Sequence, residues 1–178
     1  MKVKALVMIA CVALVAGCAS GGPSYEAAEN SQLIKANYNA VDKLLSASAI
    51  HVDKNTPMLV ATLVNIDNLT QSSRFGRLIS EQVATRLTQS GFNVTEMKLR
   101  SNVYIREDTG ELLLSRDVRD LSKNHNAQVV VVGNYAVSAG YAYITLKIVA
   151  VADNRVVSAV NYVLPLNETN QAMLAAGS

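Results

Sequence analysis

The chain has 178 residues, two cysteines and 16 basic against 14 acidic side chains. That length suits a single domain with a sizeable core, and a formal charge of +2 excludes the strongly basic footprint of a nucleic-acid-binding protein. Two cysteines also exclude a disulfide-dense scaffold.

Lys2 and Lys4 precede an apolar run from Ala5 to Val15, which leads into Val15-Ala16-Gly17-Cys18. A charged start, a short apolar stretch and small residues make a signal peptide. The cysteine directly after them makes it the signal of a bacterial lipoprotein. The run is shorter than the roughly 20 apolar residues that cross a bilayer. Residues 1–17 are therefore expected to be removed, leaving Cys18 as the lipid-attachment residue. The removed segment holds two lysines and no acid, so the remainder has equal numbers of basic and acidic groups. Cys11 leaves with it and Cys18 becomes acylated, so no disulfide is expected in an oxidising periplasm. Each buried methylene contributes about 0.8 kcal/mol, and several acyl chains hold a protein firmly to a membrane. Ala19 stands where an aspartate would resemble an inner-membrane retention signal, which points to the outer membrane, periplasmic face. Residues 18–30, with Ser20-Gly21-Gly22-Pro23-Ser24, read as a flexible tether. It reaches roughly 40 Å extended and about 20 Å as a coil.

The domain is expected over residues 31–165. Ser31 to about Ser48 predicts a helix, with Ile34, Tyr38, Val41 and Leu45 on one face and Leu33 and Leu44 widening it. Met58 to Asn65 is mostly apolar and predicts a strand buried on both faces. A second helix is predicted from about Ser73 to Ser90. Phe75, Leu78, Ile79, Val83 and Leu87 form its stripe, Ser72 or Ser73 its cap, and Gly91 its end. Phe92 to Met97 resumes a strand. Lys98 to Gly110 is less regular, with a short strand at Val103-Tyr104-Ile105. Ser115 caps a short polar helix, Arg116 to about Asn124, whose buried side is Val118 and Leu121. Gln128 to Val137 is a central strand. Ser138-Ala139-Gly140 turns it into Tyr141 to Ala152, which places Ile144, Leu146 and Ile148 on one face and Tyr143, Thr145 and Lys147 on the other. Asp153-Asn154 turns again into Arg155 to Leu164. The fold class is α/β (α+β): order α-β-α-β-α-β-β-β, helices packed on a mixed sheet that ends in an antiparallel meander. Residues 166–178 form a weakly amphipathic tail, a short helix or disordered.

Chemistry-bearing motifs are sparse. His51 and His125 sit in polar connections, with no second histidine or cysteine at ligand spacing, so no metal and no cofactor is expected. Gly133 stands without a phosphate-binding loop around it and reads as a bulge or a point of close packing. Ser115-Arg116-Asp117 is read as helix capping rather than catalysis. Arg74, Arg77 and Arg86 lie on the second helix, with Lys98, Arg100 and Arg106 beyond it. They form either a solvated face balanced by Glu81 and Glu96 or a candidate partner interface for a protein or the anionic cell wall. No set of residues assembles an active site, and enzymatic activity is not expected.

Several blocks in order carry a family resemblance. They are Ala36-Asn37-Tyr38-Asn39-Ala40-Val41-Asp42-Lys43-Leu44-Leu45 and Val60-Ala61-Thr62-Leu63-Val64-Asn65, then Ser72-Ser73-Arg74-Phe75-Gly76-Arg77-Leu78-Ile79-Ser80-Glu81-Gln82 and Gly110-Glu111-Leu112-Leu113-Leu114-Ser115-Arg116-Asp117. Over about Leu33 to Val163 the chain resembles the FlgO family of outer-membrane flagellar proteins. The resemblance implies a non-enzymatic component of the flagellar basal-body outer ring in Vibrio-like bacteria, needed for motility. It implies partners that are FlgP-like and FlgT-like, a homo-oligomeric ring, and a fold similar to the small α/β domain of TolB and to CsgG. It does not imply nucleic acid as a partner.

Two alternatives follow from the same fold. One is a lipoprotein activator of cell-wall synthesis, LpoB-like, against which the short tether argues. The other is a secretion-pore component, CsgG-like, which needs long hairpins that alternate apolar and polar residues. Tyr141 to Leu164 has the length of one, but its turn and Val156-Val157 suit a soluble sheet better. The anchoring expectation is directly testable. Labelled palmitate should enter the wild-type protein and not Cys18→Ser, which should become periplasmic or stay unprocessed. Labelling of the variant overturns the assignment.

Overall fold

The computed structural model describes residues 32–48, 52–69, 73–97, 104–106, 112–114 and 116–174. The expected signal segment, Cys18 and the tether lie outside these residues, as do His51, Lys98, Arg100 and Ser115. The elements in chain order are α1 (Gln32–Ser46), β1 (Met58–Ala61), β2 (Val64–Asn65), α2 (Arg74–Gln89), β3 (Val94–Met97), β4 (Tyr104–Arg106), β5 (Leu112–Leu114), α3 (Arg116–Asn124), β6 (Val129–Ser138), β7 (Tyr141–Ala150), β8 (Val156–Pro165) and α4 (Glu168–Ala172).

The main sheet runs β3-β1-β6-β7-β8, with β2 also on β6. β1 pairs in parallel with both β3 and β6, whereas β6-β7-β8 is an antiparallel meander. β4 and β5 make a separate antiparallel pair. The α/β architecture with a mixed sheet stands; the short strand expected at Val103-Tyr104-Ile105 is β4, paired with β5, and β2 is an added element.

Which strands read as unbroken apolar runs follows from what covers them. Met58, Val60, Val129 and Val131 face a core shared with α1 and α2. Leu59, Ala61, Val130 and Val132 face a second core with Val118 of α3. β1 and the start of β6 are thus apolar on both faces. On β7 only Ala142, Ile144, Leu146 and Ile148 enter the first core, and Tyr141 and Tyr143 on the opposite face are exposed. Coverage of one face produces the alternation seen in the sequence.

Local chemistry sets the boundaries. The hydroxyl of Ser73 accepts from the Gly76 N–H at 3.0 Å and caps α2, and Gly91, at φ +86°, follows the α2 C-cap Ser90. Ala139 and Gly140 both have positive φ, 48° and 79°. That is the requirement of a two-residue type I′ hairpin, whose twist matches the flanking strands. The expected strand from Met58 to Asn65 is interrupted because the Leu63 N–H donates to the Ser80 hydroxyl of α2 at 2.8 Å rather than to a neighbouring strand.

The buried stripe of α1 is Leu33, Asn37, Ala40, Val41 and Leu44. It is rotated from the expected one, leaving Ile34, Tyr38 and Leu45 half-buried.

Two glycines mark close approaches. At Gly133 a Cβ would lie 2.8 Å from Leu63 Cγ and 2.8 Å from the Thr145 carbonyl oxygen. The β6–β7 register runs through Gly133↔Leu146 without a break, so the position is one of close packing rather than a bulge. At Gly76 a Cβ would collide with the Leu63 carbonyl oxygen and stand 3.1 Å from the Tyr135 ring. Overpacking of this kind costs about 1–3 kcal/mol. Gly133→Ala and Gly76→Ala should each destabilise the purified protein by about that amount in urea unfolding, even though alanine favours helix at position 76.

Candidate functional site

The amino end of α2 is fixed from several directions. The Tyr135 hydroxyl of β6 donates to Ser73 Oγ at 2.7 Å, and Phe75 meets the Tyr135 ring edge-on, with centroids 5.6 Å apart. The Phe75 N–H donates to the Met173 carbonyl at 3.0 Å, just beyond α4. The first N–H groups of a helix lack partners within it, and here they find them on the cap and on the distant tail. Asn167 in turn caps α4 by accepting from the Asn170 N–H at 2.8 Å. Within the expected tail, Glu168–Ala172 is thus a short helix tied to α2 through Met173.

This anchoring aims the arginines of α2. Arg74 is exposed, and its Nη2 donates to the Ala172 carbonyl at 3.3 Å. Arg77, one turn on, is exposed and makes no ion pair among the described residues. Arg86 sits differently. Its Nε and Nη2 donate to Asp42 Oδ1 and Oδ2, each at 2.8 Å, and its guanidinium lies 5.6 Å from the Tyr38 ring centroid. A planar fork on a carboxylate is the strongest geometry such a pair adopts. The hydrogen bonds to Asp42 raise the guanidinium pKa above its ordinary value.

Asp42 on α1, and neither Glu81 nor Glu96, is therefore the acid that pairs with this helix. Arg86 joins α1 to α2, whereas Arg74 and Arg77 leave an exposed cationic patch beside α4. Of Arg106, only the backbone in β4 is described.

A second polar junction lies between α1, α2 and β8. Asn37 is fully buried; its Nδ2 donates to Gln82 Oε1 at 2.5 Å, and its Oδ1 accepts from the Tyr162 hydroxyl at 2.6 Å. Burial raises the Tyr162 phenol far above its ordinary pKa, so it stays protonated and donates at any physiological pH. The Ser158 hydroxyl donates to the Leu44 carbonyl at 2.5 Å. Sequence reasoning did not single out Asn37. The signal available was a lone amide at the centre of the Leu33–Val41–Leu44 stripe, a position that demands a buried partner.

On the opposite side of the sheet, an open cleft of about 590 Å³ lies beside α3, lined by Arg119, Lys123, Ala127, Val129, Ala150 and Val151 among others. His125 is exposed in the turn after α3, and no three His, Cys, Asp or Glu stand together among the described residues. Among the described residues no helix is long and apolar enough to cross a membrane.

The family model described as FlgO protein matches residues 38–169. No curated protein matches the chain. Among solved structures, the fold is similar to the LpoB C-terminal domain from Salmonella enterica at 13% identity and a TM-score of 0.54, over 76% of this chain and 99% of that one. The LpoB C-terminal domain from Escherichia coli is similar at 12% identity and a TM-score of 0.52, over 75% and 98%. At such identities the likeness concerns the fold alone.

The two kinds of arginine separate experimentally. Arg86→Ala should lower the thermal midpoint, by removing the link between α1 and α2. Arg77→Glu should leave the midpoint within about 1 °C, as substitutions on an open surface do. Scanning calorimetry of the two variants checks this.

Proposed function

The chain belongs to the FlgO protein family, whose model spans residues 38–169, and we propose that it is a non-enzymatic outer-membrane lipoprotein of the flagellar base. In this reading Cys18 carries the lipid and the domain hangs on the periplasmic face. The protein contributes to the outer ring of the basal body, as a homo-oligomer with FlgP-like and FlgT-like partners, and is needed for motility. Family membership is the observation that carries the proposal.

Two further features support it. Several buried polar groups join elements: Asn37 with Gln82 and Tyr162, Ser73 with Tyr135, and Ser80 with Leu63. That is the use expected of a rigid structural part. The exposed Arg74 and Arg77 also stand on a helix pinned at its amino end, so they present a fixed cationic surface. A fixed charge patch orients a partner and speeds encounter more than it adds affinity.

Deletion of the gene should reduce swimming, through fewer or less stable flagella, and the protein should co-fractionate with basal bodies. Normal swimming in the deletion strain overturns the reading. His125→Ala should leave motility largely intact. Arg74→Glu with Arg77→Glu should weaken incorporation into the ring while folding and membrane attachment persist. An unaltered ring in electron cryotomography of that double variant would show that this face is merely solvated.

A further inference from the structure

The two edges of the main sheet differ in kind. β3 is four residues long and carries the exposed Glu96, a short charged edge that discourages pairing. β8 is ten residues long, Val-Val-Ser-Ala-Val-Asn-Tyr-Val-Leu-Pro, without one charged side chain. β8 pairs with β7 on one side, and no described backbone group pairs with its other side. Its register irregularity, between Ile148 and Val149 opposite, lies near its first residues, and its proline is its last residue, so the centre is an uninterrupted strand. Among the described residues, five of the six exposed large hydrophobic residues, Val137, Tyr141, Tyr143, Val156 and Val163, lie on this same meander. Long, flat, uncharged edges are what natural sheets avoid leaving open.

We propose that β8 is a self-association edge, which pairs antiparallel with β8 of a second copy about a two-fold axis at Asn161. The occupant is argued from the strand itself. In antiparallel pairing, opposed residues share a face, and a slip of one residue exchanges the faces. Centring on Asn161 keeps the faces in phase over residues 158–164, beyond the irregularity at Val157. Val163 then opposes Ala159, large against small, on the exposed face. Val160 opposes Tyr162 on the helix-covered face, a β-branched and aromatic pair of the favourable kind. Asn161 opposes its own twin, amide to amide.

Centring on Val160 would set Ser158 against Tyr162, and centring on Tyr162 would set two aromatic rings together and shorten the overlap. Charge agrees with the Asn161 register. Lys147, the charged residue on the open face of β7, lies beside Ala159. Its twin sits three strand spacings across and four residues along, roughly 20 Å away, and is largely screened at that distance. Because β3 offers no matching edge, the pairing closes as an isologous dimer and does not propagate as a chain. This inference is independent of the flagellar reading.

The full-length, membrane-bound protein tests it. Two-fold related residues at the centre of an antiparallel pair bring Cα atoms about 4.5–5.5 Å apart, within reach of a disulfide. Under mild oxidation Asn161→Cys should run as a covalent dimer, whereas wild type and Ala152→Cys, at an exposed site outside the paired stretch, should not. In detergent the wild-type protein should have twice the monomer mass, and Ala159→Lys with Asn161→Lys should halve it with unchanged circular dichroism. The overturning results are no dimer band for Asn161→Cys, an equal band for Ala152→Cys, a cross-link only to a chain of different mass, or wild-type monomers. The cysteine experiment stands even if the double lysine variant fails to fold.

Discussion

Strand β6 carries a parallel ladder on one edge and an antiparallel ladder on the other, and the placement of the other elements follows from that double duty. Its first three residues pair with β1, Asn134 and Tyr135 pair with β2, and all ten pair with β7. Because the parallel half needs cover on both faces, α2 lies on one side and α3 on the other. The antiparallel half needs cover on one face only, and α1 supplies it. Tyr135 sits where β6 passes from one regime to the other, and its hydroxyl meets the cap of α2 there.

The polar bonds that join elements divide by task. Ser73, Ser80 and Tyr135 set how closely α2 approaches the sheet, and Gly76 and Gly133 leave the space for it. Asn37, Gln82, Tyr162 and Ser158 set where α1 crosses β8. Apolar burial drives both contacts, but it is non-directional. The hydrogen bonds select one arrangement, because an unpaired buried amide or hydroxyl costs free energy in any other. Arg86 and Asp42 add a bidentate link between the same two helices.

Much of this was legible in the sequence wherever periodicity carries it. The stripe of α2, the double-faced run of β1 and the alternation of β7 each report coverage directly, and Gly91 marked a helix end through its required backbone angle. What escaped depends on contacts between distant residues. Asp42 and Arg86 are 44 positions apart, so nearness in sequence points instead to Glu81 and Glu96 as the acids that balance α2. The break after Ala61 comes from a hydroxyl on α2, not from any breaker in the strand. β5 is three residues long, too short for a period to show. Of the candidate interface, Arg74 and Arg77 are placed as an exposed pair, while the role of Arg86 required the packing of α1 to be known.

The bond from Phe75 to Met173 has a temporal meaning as well. It ties a helix begun in the first half of the chain to a residue nearly a hundred positions later. β1 likewise waits for β6 before its second edge is filled. A chain whose contacts are this non-local gains little from folding piecewise, because the loop-closing entropy is spent before the reward arrives. β1 and α2 would lack these partners until the last strands and α4 follow. Such late commitment makes the pairing of the last strands, rather than the forming of the first helices, the step that fixes the fold.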